Sequence, residues 1–354
     1  MRLKQRMAVF SAAVTMVAAV LTIGATSAAN AAPGGDDNIV SGKSQLSPEV
    51  ARTVHGNSVS ARQTAIAAYW TADRMKAAKP DTQMPAMKAA AAAKPAIAAP
   101  ATKPQGPARK VAGAAPVAAP VANQPDVSPM AYPPNYPVGH PVARTVGKVF
   151  FTSFGVNYVC SGSIVNSEGK SVVWTAGHCV SDGAAWNYNW TFVPNYYSGV
   201  APYGYWYSYS LTTTVGWFYN NADYANDVGA SIMYNNGGWR IADYLGAQGI
   251  AWNYAVSGYY VYAFGYPQAS PFDGCCLYAE QGYTYDGGGG TIYMVNYMTG
   301  GSSGGPWLNW FDGNWGYVNG HNDFKYTAYP QYMYSPYYGN QVLNVYNAVR
   351  YISA

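Results

Sequence analysis

The chain has 354 residues, of which 10% are charged and 16% aromatic, and its formal net charge is +4. Residues 1–129 contain 14 of the 20 Lys and Arg and six Asp and Glu, which gives this leading part a net charge of +8. The remainder has a net charge of −4. The basic balance thus belongs to the leader, which argues against nucleic acid as a partner. The later part is rich in Tyr, Trp, Asn and Gly, which suits an exported β domain that can bury a sizeable core.

The first 31 residues have the order of a secretory signal peptide. Arg2, Lys4 and Arg6 precede an apolar run at 8–25, and small residues ending at Ala31 follow. A membrane anchor is the alternative, but it needs about 20 uninterrupted apolar residues, and hydroxyl residues dilute this run. We expect cleavage near Ala31, a secreted extracellular protein, and no membrane partner after cleavage.

Residues 32–129 are predicted to be a propeptide with a short helical segment. A helix start is expected at 47–49, where Ser-Pro-Glu combines a cap, a first-turn proline and an acid. Residues 58–78 are predicted to be helical, and the Ala/Pro/Lys run at 87–125 to be extended and disordered. The segment would assist folding or mask the remainder, as in a zymogen. A spacer without such a role is the alternative.

The later part, 130–354, is predicted to be an all-β domain with a C-terminal helix. Apolar and β-branched runs separated by Gly, Asn and Ser indicate many short strands, as in a sandwich or barrels. The predicted strands are 146–151, 161–165, 171–175, 186–193, 203–215, 228–233, 259–264, 291–295 and 315–318. The helix is predicted at 341–351, where Val342, Val345, Val349 and Tyr351 share one face.

Four cysteines lie in the later part, and an even count in an exported chain favours disulfides over metal ligands. Cys160 and Cys179 are spaced suitably for a bridge across a strand and a loop. Cys275 and Cys276 are adjacent, and their pairing or reduction stays open.

The candidate nucleophile is Ser303, in the stretch MTGGSSGGPW at 298–307. Glycines weaken a strand and permit positive φ, so this stretch is predicted to be a loop with outward-pointing N–H groups. A serine nucleophile needs a base held by a third group. Of the four histidines, His55 lies in the leader and His140 between two prolines, whereas His178 follows an apolar strand and a small-residue turn. His178 is therefore the candidate base.

The sequences TAGHC at 175–179 and GGSSGGP at 300–306 resemble the His and Ser motifs of chymotrypsin-like (trypsin-fold) serine proteases. The resemblance covers 142–354. It implies two antiparallel six-stranded β-barrels with the active site between them, and a serine endopeptidase that acts on protein or peptide substrates. The pair Cys160 and Cys179 is similar to the family's bridge beside the catalytic His.

The resemblance also implies an Asp between His178 and Ser303 at the head of an apolar strand. Asp227 precedes a small and apolar strand and is favoured, and Asp223 is the alternative. The implied catalytic residues are then His178, Asp227 and Ser303, and the N–H groups of Gly301 and Ser303 form the oxyanion hole. No metal or other cofactor is required, and we expect a monomer.

Departures from the family motif bear on specificity. Ser302 stands where trypsin-like enzymes have the Asp that pairs with a new N-terminus, and Tyr297 stands where trypsin has its acid. Thr299 and His321 instead resemble the substrate-binding residues of V8-type glutamyl endopeptidases, which implies Glu or Asp at P1. However, Met298 replaces the first of that family's two threonines. A His321 that merely borders the cleft is the alternative.

Two other functions fit parts of the sequence. Gly301, Ser303 and Gly305 match the G-x-S-x-G pattern of serine esterases, with Asp312 and His321 following. The region lacks the alternating strands and helices of that fold, however. A non-catalytic protein with the protease fold, binding cell-surface glycan or protein through its aromatic residues, is the other alternative, but no triad residue is missing.

Overall fold

The computed structural model describes residues 38–92, 99–118, 136–220 and 223–354. The predicted signal peptide lies outside the described residues, as do parts of the predicted propeptide. None of the described helices has the length and hydropathy needed to cross a membrane.

The described part of the leader forms seven short elements and a 3₁₀ turn at Asp81–Gln83. The elements are β1 (Ile39–Lys43), α1 (Pro48–Ala51), α2 (Val59–Tyr69), α3 (Ala72–Ala77), β2 (Lys79–Pro80), α4 (Pro85–Ala92) and β3 (Arg109–Val111). The predicted helix at 58–78 is therefore two helices. They separate because the Thr71 side chain accepts a hydrogen bond from the Arg74 N–H and caps α3.

The predicted disorder of 87–125 is wrong for the part that is described. Helix α4 continues to Ala92, and its residue Met87 is almost fully buried. Strand β3 pairs in antiparallel fashion with residues 250–252. Composition alone indicated disorder because it does not reveal the surface and the sheet edge that the later part supplies.

A closed barrel of six antiparallel strands follows. Its strands run in the order β4-β5-β6-β9-β8-β7, and β7 pairs with β4 to close the ring. The elements from 141 to 233 are α5 (Pro141–Thr145), β4 (Val146–Ser153), β5 (Val156–Ile164), β6 (Val172–Thr175), β7 (Tyr188–Pro194), β8 (Trp206–Thr214), α6 (Val215–Tyr219) and β9 (Gly229–Met233). Each predicted strand in this range overlaps one of these.

The remaining strands form two sheets, and hydrogen bonds among the described residues do not close them into one second barrel. The larger sheet has the order β12-β11-β15-β16-β10-β3 and the smaller the order β13-β14-β17. Their elements are α7 (Ile241–Leu245), β10 (Gly249–Trp252), β11 (Tyr260–Gly265), β12 (Tyr278–Tyr283), β13 (Tyr285–Gly288), β14 (Thr291–Val295), β15 (Pro306–Asn309), β16 (Tyr317–His321), β17 (Tyr332–Pro336) and α8 (Asn340–Val349). The predicted all-β architecture and first barrel are confirmed, while the second barrel is two separate sheets.

The C-terminal helix α8 packs one face on the domain, as its apolar spacing predicts. Val342, Val345 and Val349 are fully buried, and so is Tyr346. Tyr351 was expected on this face but is 71% exposed, because the helix ends at Val349 and the chain turns away.

Cys160 and Cys179 form a disulfide, and so do Cys275 and Cys276. The first bridge joins β5 to the turn after β6, and its cysteines are 19 residues apart.

We expect that replacing both Cys160 and Cys179 by Ser will lower the free energy of unfolding by about 3 kcal/mol, because the bridge restricts the unfolded chain. Guanidinium denaturation measures the loss. The control replaces Cys275 and Cys276 by Ser. These two residues are adjacent, so their bridge closes almost no loop, and its loss should lower the free energy of unfolding far less. Equal losses in the two variants would contradict this account.

Candidate active site

Two neighbouring strands of the closed barrel bring the candidate base and acid together. In the antiparallel pair β6 and β9, Thr175 lies opposite Gly229. The end of β6 and the start of β9 therefore lie side by side at the same end of the barrel. His178 and Asp227, each two or three residues beyond these partners, therefore lie side by side. Antiparallel pairing alone accounts for their proximity.

Asp227 holds His178 through both carboxylate oxygens. Oδ1 accepts the backbone N–H of His178 at 2.7 Å, and Oδ2 lies 2.8 Å from the imidazole Nδ1. Both residues are fully buried. Gly177 makes this approach possible, because a Cβ at that position would lie 2.8 Å from Asp227 Oδ1. The imidazole is thereby fixed with Nε2 directed away from Asp227.

Burial and the ion pair act in opposite directions on these two groups. Burial would lower the pKa of His178, but the Asp227 carboxylate outweighs it and the pKa is raised well above 6.5. Burial would likewise raise the pKa of Asp227, and the facing His178 lowers it instead. The pair is therefore a buried imidazolium and carboxylate in this form of the chain.

Ser303 lies in the loop that precedes β15 and is 3% exposed. Gly301 has φ +99°, and a Cβ there would lie 2.7 Å from the Tyr266 carbonyl oxygen, so the loop requires glycine at that position. The Ser303 carbonyl accepts the Ser161 N–H of β5 at 2.7 Å, which ties the loop to the barrel. The loop conformation predicted from the glycines is the one observed.

The space between Ser303 and His178 is occupied by Asp81, from the leader. Ser303 Oγ donates to Asp81 Oδ2 at 2.7 Å, and the Gly301 N–H donates to Asp81 Oδ1 at 2.5 Å. His178 Nε2 lies 3.3 Å from Asp81 Oδ2 and has no hydrogen-bond partner among the described residues. Sequence reasoning missed Asp81, since a single acid beside a low-complexity run carries no signal of a role.

The alternative acid, Asp223, does not reach the imidazole. It precedes the 3₁₀ turn Tyr224–Asn226, is half-buried, and accepts a hydrogen bond from Asn226 Nδ2 at 2.8 Å. Of the two aspartates considered from the sequence, the structure places Asp227 against His178.

A further carboxyl group, that of Asp323, lies beside the pair and was also missed. Its Oδ1 is 3.4 Å from His178 Nδ1, and its backbone carbonyl oxygen lies 3.2 Å from Ser303 Oγ, whose hydrogen points to the closer Asp81. Burial and the nearby Asp227 carboxylate raise the pKa of Asp323 well above its usual range. Both effects disfavour the ionised form of Asp323. Its position directly after strand β16 was the only available signal.

The side chains of His178, Asp227 and Asp323 could also coordinate a metal ion, since their ligand atoms all lie within 4.8 Å of one another. Nδ1 of His178, however, is already held by Asp227 at hydrogen-bond distance, and burial beside Asp227 disfavours the charged Asp323 carboxylate that a cation would need. These residues therefore fit a hydrogen-bonded His178–Asp227 pair better than a cation site.

Comparison with solved structures decides the family. The chain is 38% identical to the protease Anisep from Arthrobacter nicotinovorans, with 59% of this chain and 96% of that chain covered and a TM-score of 0.55. It is 35% identical to the thermostable serine protease AL20 from an extremophilic microorganism, with 59% and 97% covered and a TM-score of 0.56. The chain belongs to the chymotrypsin-like serine protease family.

Membership makes the protein a serine peptidase and confirms the resemblance given by the His and Ser motifs. The G-x-S-x-G alternative also fails on geometry, because Asp312 is exposed and His321 bonds to Tyr338. A scan against protein-family models finds no match, and a search of curated proteins finds none either. A glutamyl endopeptidase is 15% identical with a TM-score of 0.48, too distant to inform the specificity of this protease.

A cavity of about 180 Å³ opens beside the nucleophile of the protease. Thr299, the predicted substrate-binding residue, lines this cavity, and so does Lys325, which the sequence did not suggest. The Thr299 hydroxyl donates to the Ala269 carbonyl at 2.5 Å. The remaining lining is largely apolar and includes Met298 and Phe324.

His321 is not among the residues that line this cavity. It is fully buried, its Nδ1 lies 2.9 Å from the Tyr338 hydroxyl, and its Nε2 has no partner among the described residues. Burial lowers the pKa of His321 to about 3, so the ring is neutral at physiological pH. The structure thus brings Thr299, but not His321, to the space beside Ser303.

Proposed function

We propose that the protein is a secreted serine endopeptidase whose triad is His178, Asp227 and Ser303. The observation that carries this proposal is the pair of contacts that Asp227 makes with His178, one to the backbone N–H and one to the imidazole Nδ1. On the other side of the site, the Gly301 N–H of the Ser303 loop binds a carboxylate oxygen. A triad requires an oriented base, a nucleophile and an anion-binding donor. The positions of Asp227, His178, Ser303 and the Gly301 N–H support these assignments.

The reaction proceeds through an acyl-enzyme. Ser303 Oγ attacks the peptide carbonyl carbon while His178 Nε2 takes its proton and then gives it to the leaving amine. Asp227 keeps the proton-bearing Nδ1 towards itself and stabilises the imidazolium. The N–H groups of Gly301 and Ser303 receive the negative oxygen, a contribution of about 3–4 kcal/mol per donor. A water activated by His178 then releases the acid and restores Ser303.

The order of the chain supports synthesis as an exported precursor. The first 31 residues have a signal-peptide pattern, and the two disulfides suit an oxidising compartment. Residues 32–129 would be the propeptide and 130–354 the protease domain. Ser302 rules out the Asp-to-N-terminus ion pair of trypsin-like activation, so maturation follows another route.

Covalent labelling tests the mechanism. The protease freed of residues 32–129 should react with a fluorophosphonate at Ser303 and lose activity in step with labelling, because only an activated serine attacks this reagent. Peptide mass mapping locates the adduct. A processed, folded protein without a Ser303 adduct would refute the proposal.

For the P1 residue, we propose that the cavity beside Ser303 receives the side chain, with Lys325 favouring Glu or Asp. Its Nζ donates to the Asn296 and Pro330 carbonyls at 2.6 and 2.9 Å, which leaves one of its three N–H groups. Burial lowers the pKa of Lys325 to about 8, so it is still largely cationic at pH 7. The Lys325 ammonium at an apolar pocket would bind the carboxylate of a Glu or Asp side chain at P1, while the apolar walls contact the methylene groups of that side chain.

A peptide series that varies only P1 separates this from the His321 hypothesis. We expect kcat/KM for Glu over Leu to fall about tenfold in Lys325→Met, the loss of one charge-assisted contact. His321→Val should leave the ratio unchanged, because the ring lies outside the cavity. A ratio that depends on His321 and not on Lys325 would restore the sequence-based assignment. A wild-type enzyme with no preference for Glu at P1 would contradict both the Lys325 and the His321 hypotheses.

A further inference from the structure

The leader crosses the active site at residues 79–83. Strand β2 pairs in parallel with β5, with Lys79 opposite Tyr158 and Pro80 opposite Val159. The chain then enters the 3₁₀ turn Asp81–Gln83. Asp81 is fully buried at the start of this turn. A carboxylate is costly to bury unless charged or polar partners replace its water.

The partners of Asp81 are the groups that the proposed mechanism uses. One oxygen accepts from the Gly301 N–H at 2.5 Å, and the other accepts from Ser303 Oγ at 2.7 Å. The second oxygen also lies 3.3 Å from His178 Nε2. A single carboxylate therefore takes the hydrogen bond of the nucleophile, faces the base, and fills a position of the oxyanion. While it is bound, Ser303 donates to Asp81 and not to His178.

The group placed against Ser303 is a side-chain carboxylate and not a peptide carbonyl. Attack on an ionised carboxylate would have to expel oxide, so the bound group resembles the acid product of hydrolysis and is not a substrate. The next residue reinforces this placement, because a Cβ on Gly300 would lie 2.9 Å from the Thr82 Cβ. The leader thus occupies the site without presenting a bond for cleavage there.

Contacts on both sides of Asp81 hold the segment in place. Strand β1 adds to the edge of β8 through five antiparallel pairs, from Ile39 opposite Thr214 to Lys43 opposite Ser210. On the other side, Met87 is buried against the barrel core and lines the cavity beside Ser303. Anchors on both sides raise the effective concentration of the carboxylate at the catalytic groups.

We propose that residues 38–92 are an intrinsic inhibitor of this protease and that the Asp81 carboxylate is the inhibitory group, bound as a product-like anion by Gly301 and Ser303. The proposal rests on the endopeptidase function proposed above. It assigns to the propeptide a specific ligand chemistry rather than general coverage of the cleft. Release of the segment frees Ser303 and removes the Asp81 carboxylate from His178 Nε2, which leaves Asp227 to orient the imidazole.

The test compares full-length chains that differ at residue 81. Fluorophosphonate labelling rates are measured for intact wild type, Asp81→Ala and Asp81→Asn, with mass spectrometry confirming that each labelled chain is uncut. Asp73→Asn is the matched control, because Asp73 lies on the nearby helix α3 and is exposed. The reference is the catalytic part, isolated after the chain has been cut within 119–135.

We expect the intact wild type and Asp73→Asn to label at least 100-fold more slowly than the isolated catalytic part. Asp81→Ala should label at least tenfold faster than the wild type. Asp81→Asn retains the size of the side chain and loses its charge, so it should also be faster; it serves as the test if the alanine variant does not fold. Variants at Asp81 that label no faster than the wild type, while the isolated catalytic part labels readily, would overturn the inhibitor assignment alone. An isolated catalytic part that fails to label would overturn the proposed function instead.

Discussion

Ser303→Ala is expected to lower kcat for peptide hydrolysis by about six orders of magnitude, the largest effect of any single change in this chain. The hydroxyl oxygen is the atom that becomes acylated, and no neighbouring side chain can replace it. Rate acceleration that survives would come from substrate binding and the oxyanion donors. The measurement is hydrolysis of a fluorogenic peptide after removal of residues 32–129. Both proteins must be cut by the same second protease, since the variant cannot process itself.

The folding control for Ser303→Ala is the thermal unfolding midpoint. The substitution removes one buried oxygen and should shift this midpoint by no more than about 4 °C. A folded variant with appreciable activity would show that Ser303 is not the nucleophile. Ser302→Ala is the matched variant, because its hydroxyl only donates to the Thr299 carbonyl, and it should retain activity within about tenfold.

Asp227→Asn should lower kcat by about 10⁴-fold. Asparagine would keep the size of the side chain but would donate where His178 Nδ1 must donate, and so favour the wrong tautomer. It would also remove the charge that raises the pKa of His178. Both effects are measured from kcat of the processed protease across pH 5–9. The maximum kcat of the variant should be lower. Its kcat should also begin to fall at a lower pH than that of the wild type, because the imidazole is easier to deprotonate.

Two other aspartates are the controls for Asp227→Asn. Asp223→Asn should leave kcat within about twofold, because the half-buried Asp223 bonds to Asn226 and does not reach His178. Asp323→Asn should lower kcat by no more than about fivefold, because an uncharged amide replaces a carboxyl whose pKa is raised by burial and by Asp227. A large loss in Asp223→Asn with none in Asp227→Asn would reverse the assignment of the acid. A loss in Asp323→Asn equal to that in Asp227→Asn would show that Asp323 acts as a carboxylate.

The sequence was most informative where local chemistry decides the structure. Apolar and β-branched runs between Gly, Asn and Ser predicted the strands of the first barrel, because such residues favour extended, buried backbone. Glycines around Ser303 predicted a loop, since Gly301 adopts a positive φ. The His and Ser motifs alone indicated the family. The choice of Asp227 over Asp223 also came from local pattern, an acid directly before an apolar strand.

The sequence failed where a role depends on residues that are far apart in the chain. The composition of residues 87–125 indicated disorder, but β3 and α4 form on surfaces supplied by the later part. His321 matched a substrate-binding motif, yet its side chain bonds to Tyr338 and stays out of the cavity. The partial match to V8-type enzymes could not reveal this, because motif spacing does not give side-chain direction.

By itself, the sequence determined that this is a β-rich serine peptidase with a leader, a candidate His178, Asp227 and Ser303, and a disulfide framework. Only the tertiary structure decided what stands at the centre of the site. Asp81 is 222 residues from Ser303 in the chain, and Asp323 enters beside Asp227 from the opposite half of the domain. Long-range contacts of this kind leave no local pattern, because the partners of a buried carboxylate are set by packing and not by its neighbours in sequence.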